Sequence, residues 1–154
     1  MNKIELGGYI KVSAIKNAII GKTIKSIRYD DQHLYLIFED DYLSLSVYGT
    51  CCSSSYFYDF YGVEKVLNHK ITDFQEIELD PTDLKASHSG GVIQVYGYKI
   101  VCENGVGDDY WYDSQPTAVF SFRNDSNGYY GGSLETGGEL DETVPEITKD
   151  VYSN

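Results

Sequence analysis

Residues 23–47 hold three strand-like stretches, the last two with apolar side chains at every second position, and short acidic breaks cut the run twice. Thr23–Tyr29 is rich in β-branched residues; Leu34, Leu36 and Phe38 alternate with Tyr35, Ile37 and Glu39; Leu43, Leu45 and Val47 alternate with Ser44 and Ser46. A repeat of two puts every second side chain on one face of a strand. The separators Asp30-Asp31-Gln32 and Asp40-Asp41 are turn-forming and too short for a crossover, so the strands must run antiparallel. The core of the fold is therefore expected to be an antiparallel meander.

The flanking segments add helix and further strand. Val12, Ile15 and Ile19, with Ala14, Ala18 and Ile20, follow helical spacing, while Lys11, Lys16 and Asn17 take the other face. Gly21 then stops the helix, which is predicted over residues 11–20. After Gly49–Ser55 breaks the strand pattern, the stripe Phe60, Val63, Leu67 predicts a helix over residues 57–67, with Gly62 weakening it and Asn68-His69 at its end. Further strands are predicted at Ile71–Leu79, where the alternation is imperfect, at Val92–Cys102, at Ala118–Phe122 and at Tyr129–Leu134. Gly97 marks a bulge or a close approach within its strand. Pro81–Gly91 reads as a polar loop and Asn124–Gly128 as a turn. The expected fold is a single α+β domain over residues 1–134. It holds an antiparallel twisted sheet of about five to seven strands, with one or two short helices packed on one face. Residues 135–154 form an acidic tail, either flexible or an arm that docks.

Charge is distributed unevenly. Residues 1–28 carry six basic side chains and one acidic, whereas 29–154 carry six basic and 23 acidic, for a net charge of −12. Such a surface repels phosphate backbones and attracts basic protein surfaces. Direct nucleic-acid binding is therefore not expected. Hydrophobic residues at 42% against 23% charged exclude disorder of the whole chain. No window reaches the ~20 apolar residues of a membrane span, and Met1–Leu6 contains no apolar leader core, so a cytoplasmic location is expected. Cys51, Cys52 and Cys102 are odd in number and form no disulfide framework.

Several local patterns invite chemistry. Cys51, Cys52 and Cys102 with His33, His69 or His88 would supply zinc-type ligands, but adjacent cysteines diverge on an extended chain. Cys51 or Cys52 with His69 would make a thiol nucleophile and its base. Asp40-Asp41 sits in a hairpin turn, and Asp108-Asp109 lacks the spacing of a calcium loop. Gly90-Gly91, Gly131-Gly132 and Gly137-Gly138 match no phosphate-binding pattern. No metal and no cofactor are expected. Tyr110-Trp111-Tyr112, set among acidic residues, has the make-up of a binding hot spot, or else of an apolar plug under a loop.

Two segments, Gly49-Thr50-Cys51-Cys52-Ser53 followed by Phe60-Tyr61-Gly62-Val63 and Ile71, and Arg123–Gly132 with its Ser126-Asn127-Gly128-Tyr129-Tyr130-Gly131-Gly132 run, together resemble a family of small phage and prophage proteins of unknown function. The resemblance covers roughly residues 18–134. It implies a protein of a phage or mobile element acting in the cytoplasm of a host bacterium. In that setting the expectation is a non-enzymatic inhibitor of a host or defence protein. An anti-CRISPR or nucleic-acid mimic would be of this kind. Asp108, Asp109, Tyr110, Trp111 and Tyr112, with Glu139, Asp141 and Glu142, would meet a basic partner such as a nucleic-acid-binding enzyme. The alternatives are a signalling-nucleotide binder using Asn127, Tyr129 and Tyr130, or a phage structural protein; the tyrosines also allow a homodimer.

Overall fold

The computed structural model describes residues 1–6, 10–49, 53–79, 92–105, 115–126 and 131–153. It is mostly β structure in two sheets, with two short helices. The first sheet contains the expected meander: β2 (Ser26–Tyr29), β3 (His33–Ile37) and β4 (Asp41–Gly49) are antiparallel neighbours, with Leu34 opposite Leu45 and Leu36 opposite Leu43. On the other edge of β4 lie β1 (Asn2–Lys3), which runs parallel to it, and β9 (Gly132–Thr136), antiparallel; β10 (Glu146–Ile147) closes the far edge on β2. The second sheet is antiparallel throughout, in the order β5 (Ser53–Tyr61), β8 (Thr117–Ser126), β7 (Val92–Cys102), β6 (Ile71–Ile77).

The expectation of one sheet of five to seven strands is thus corrected to a six-stranded mixed sheet and a four-stranded one. The reason is long-range pairing: β5 leaves β4 and joins β8, while β9 returns to β4. Both sheets bury apolar faces in one core. Ile27, Leu34, Leu36, Leu43 and Leu45 belong to the first sheet, and Phe57, Phe60, Phe74, Ile100, Phe120 and Phe122 to the second.

The predicted helix over 57–67 is also corrected. Residues up to Tyr61 continue β5, and only Val63–Val66 forms a helical turn, α2. In β5, Phe57 pairs with Phe122 but Phe60 pairs with Phe120, so one extra residue bulges out. The bulge returns Phe60 to the inner face three positions after Phe57, a spacing that imitates a helix. β6 has the same irregularity between Ile71 and Asp73, which accounts for its imperfect alternation.

The helix predicted over 11–20 is present as α1 (Val12–Ile19), burying Ile15 and Ile19, and Gly21 follows at φ +85°. Val92–Cys102 is a strand over its whole predicted length. Gly97 is a close approach: a Cβ there would lie 2.7 Å from Leu79. The strand at Ala118–Phe122 runs on to Ser126, so the turn predicted from Asn124 begins too early. Asn124 and Ser126 are fully buried. Pro81–Gly91 lies outside the described residues.

The acidic tail returns across the molecule. Glu146 and Ile147 pair with Arg28 and Ile27, and Val151 bridges Phe60. Asp150 caps α2, its Oδ1 accepting from the Gly62 and Val63 N–H groups at 2.8 and 3.1 Å. No helix among the described residues is long and apolar enough to cross a membrane.

Candidate interaction surface and aromatic cleft

β3 is apolar on both faces, so the outer face of the first sheet also needs a cover. Tyr35, Ile37 and Tyr42 on that face form a second small core with Val144, and Leu140 packs against it. Around these apolar anchors the tail backbone is hydrogen-bonded to the sheet. The Tyr35 hydroxyl donates to the Glu139 carbonyl (3.0 Å) and accepts from the Asp141 N–H (3.3 Å). The Tyr42 hydroxyl accepts from the Leu140 N–H (3.1 Å) and donates to a Glu139 carboxylate oxygen (3.5 Å). Arg28 Nη1 donates to the Glu142 and Val144 carbonyls at 3.1 and 2.8 Å.

This arrangement leaves the carboxylates outside. Glu139 pairs with Lys3 at 2.9 Å while 84% of its side chain stays exposed. Hydrogen bonding and charge from Lys3 hold the Glu139 carboxyl below its ordinary range. Asp141 is lowered chiefly by hydrogen bonds from the Thr143 hydroxyl and N–H. Asp141 and Glu142 are exposed. Of the sequence-predicted partner residues, the structure therefore brings Glu139, Asp141 and Glu142 onto one short ordered segment. Asp108, Asp109, Tyr110, Trp111 and Tyr112 lie outside the described residues. Sequence reasoning missed Tyr35, Tyr42 and Arg28, which carry the segment. The uninterrupted apolar run Leu34–Phe38 was the available signal that both faces of β3 are covered.

The basic N-terminal segment is largely neutralised by the rest of the chain. Besides Lys3, Lys16 pairs with Asp73 (2.9 Å), Lys22 with Asp41 (2.7 Å) and Lys25 with Glu39 (3.7 Å). Pairs this exposed add little stability. Their consequence is that the uneven charge along the sequence is largely settled within the molecule.

A different feature lies between the sheets. A cleft of about 580 Å³ opens between α1 and β9, floored by Tyr96, Tyr98 and Phe122. Tyr96 stacks on Phe122 with centroids 4.5 Å apart, and Tyr98 stacks with Phe74 at 5.9 Å. Burial, reinforced by the Glu76 carboxylate and by Tyr96, pushes the Tyr98 hydroxyl pKa up. At one end the cleft meets a polar seam, where the Ser55 hydroxyl is 2.8 Å from Asn124 Oδ1 and the Asn124 amide donates to Gln94 (3.3 Å).

Segments far apart in the sequence converge at this seam: Ser53 is registered with Ser126, and Gly49 with Gly132. A Cβ on Gly132 would fall 2.6 Å from Ser55 Oγ, so only glycine lets β9 approach. Asn127, Tyr129 and Tyr130 of the alternative ligand reading lie outside the described residues, as do Cys51, Cys52 and His88. Cys102 is buried, and burial pushes its thiol up to about 12, so it stays protonated. His69 Nδ1 lies 2.9 Å from the Leu67 carbonyl. Among the described residues no three His, Cys, Asp or Glu side chains gather as metal ligands. Compared with known proteins, the chain matches no family model, no curated protein and no solved structure, so its function has to be read from its own residues.

Proposed function

We propose that this chain is a non-enzymatic protein-binding inhibitor of phage type. Its acidic, tyrosine-bearing surface docks on a basic partner in the host cytoplasm, such as a nucleic-acid-binding defence enzyme. The observation that supports this reading is the fastened tail: hydroxyls of Tyr35 and Tyr42 and the guanidinium of Arg28 hold its backbone, while Glu139, Asp141 and Glu142 face solvent. Carboxylates on a fixed backbone meet Arg and Lys side chains with little ordering cost, which favours both rate and affinity. A groove built to neutralise phosphates would accept the same pattern of charge.

The test is capture of partners from a bacterial lysate containing defence enzymes, with the wild type and with Asp108→Lys, Asp109→Lys and Glu142→Lys combined. One stoichiometric basic protein, released by salt and lost with the charge-reversed variant, is the expected result. Equal capture by both forms would remove the acidic surface from the account.

A further inference from the structure

From the cleft between α1 and β9 we infer a second binding site, for a small organic ammonium cation with an apolar body. The site is separate from the fastened segment 139–144 and does not depend on the reading above. Its volume, about 580 Å³, lies in the range of small-molecule sites. Its floor is aromatic: Phe122 covers one face of the half-buried Tyr96 ring, and Tyr98 lies beside them. The negative ring faces of such residues attract cations.

Two further features point to a charged ligand. Tyr98 is only 6% exposed, and its hydroxyl has no hydrogen-bond partner among the described residues, which leaves an acceptor available to an N–H group. Glu76 stands opposite Tyr98 in the strand register, and Glu135 stands on the β9 wall; both are exposed, and neither forms an ion pair among the described residues. Among the described residues Lys11 is the one basic residue lining the cleft, so two described carboxylates outweigh one ammonium there. Lys16, on the same helix, is already paired with Asp73. The net charge of −12 adds a field of the same sign. Apolar contacts from Val12, Ile15 and Leu134 would take the body of the ligand.

The test uses benzylamine as the probe and benzyl alcohol as its neutral counterpart, titrated into the ¹⁵N-labelled full chain. Benzylamine is expected to give saturable shifts centred on Tyr96, Gly132 and Glu135, and benzyl alcohol to bind at least about fivefold more weakly. Glu76→Gln should weaken benzylamine by about fivefold, whereas Lys11→Gln should strengthen it. Both substitutions lie on the surface, and their opposite signs separate a charge effect from damage to the fold. Equal affinity for the alcohol, identical binding by both variants, or no saturable shift at these residues would each overturn the inference.

Discussion

Tyr35 and Tyr42 on one side of the molecule, and Tyr96 and Tyr98 on the other, are all packed against apolar neighbours, yet they use their hydroxyls differently. In the first pair each hydroxyl donates one hydrogen bond and accepts another from residues 139–141. In the second pair the rings stack in a row with Phe74, Phe120 and Phe122, Tyr96 donates at 3.4 Å to Gln94, and Tyr98 has no partner among the described residues. Tyrosine richness therefore does not mark one kind of surface. The first pair fastens the chain to itself, and the second keeps polar capacity in reserve beside a cleft.

Substitutions can break this contrast. Val144, 2% exposed, is the apolar anchor of the fastened side, and Val144→Asp would bury a charge against Tyr35, Ile37 and Tyr42. A loss of about 3 kcal/mol is expected in urea unfolding, with early proteolysis between residues 137 and 150. Next in size is Tyr35→Phe, which deletes one donor and one acceptor for the tail and should cost about 1–2 kcal/mol.

Acid separates the two sides more gently. Asp73 joins β6 to α1 beside the cleft, and its carboxyl is lowered from the ordinary 3.8 to about 2, first by the Gln75 side chain and then by Lys16. A depressed carboxyl stabilises the fold above its ordinary value, and that stabilisation is lost as pH falls through about 2. Glu139 and Asp141 are lowered as well and work in the same direction on the tail side. Thermal melts of Asp73→Asn should therefore flatten the acid limb slightly, and less so at high salt. The smallest effect is expected for Tyr98→Phe, within about 0.5 kcal/mol of wild type, because the hydroxyl it removes bonds to nothing described. A large loss there would erase the distinction from Tyr35.

The meander, α1 and β7 were legible in the sequence because their side-chain periods match their structure over several residues. β5 was not, since a bulge between Phe57 and Phe60 converts its period into a helical one. The division into two sheets rests on pairings such as Gly49 with Gly132 and Ser53 with Ser126, and no local pattern encodes those. For the proposed interaction surface, composition singled out Glu139, Asp141 and Glu142. Leu140 and Val144, which anchor them, are outnumbered by the acidic residues around them and were read as part of a charged tail. In the cleft, Tyr96 and Tyr98 fall on a regular strand, where aromatic side chains are ordinary; only the fold reveals what lies across from them.

Hydrogen exchange tests the fastened tail most directly, because two of its amides bond to tyrosine hydroxyls and to no other group described. Exchange at Leu140 and Asp141 would be followed by NMR in the wild type and in the double variant Tyr35→Phe, Tyr42→Phe. The account predicts protection in the wild type that disappears in the variant, while the amides of Phe120 and Phe122 in the second sheet stay protected. Unprotected tail amides in the wild type, or equal protection in both proteins, would contradict it.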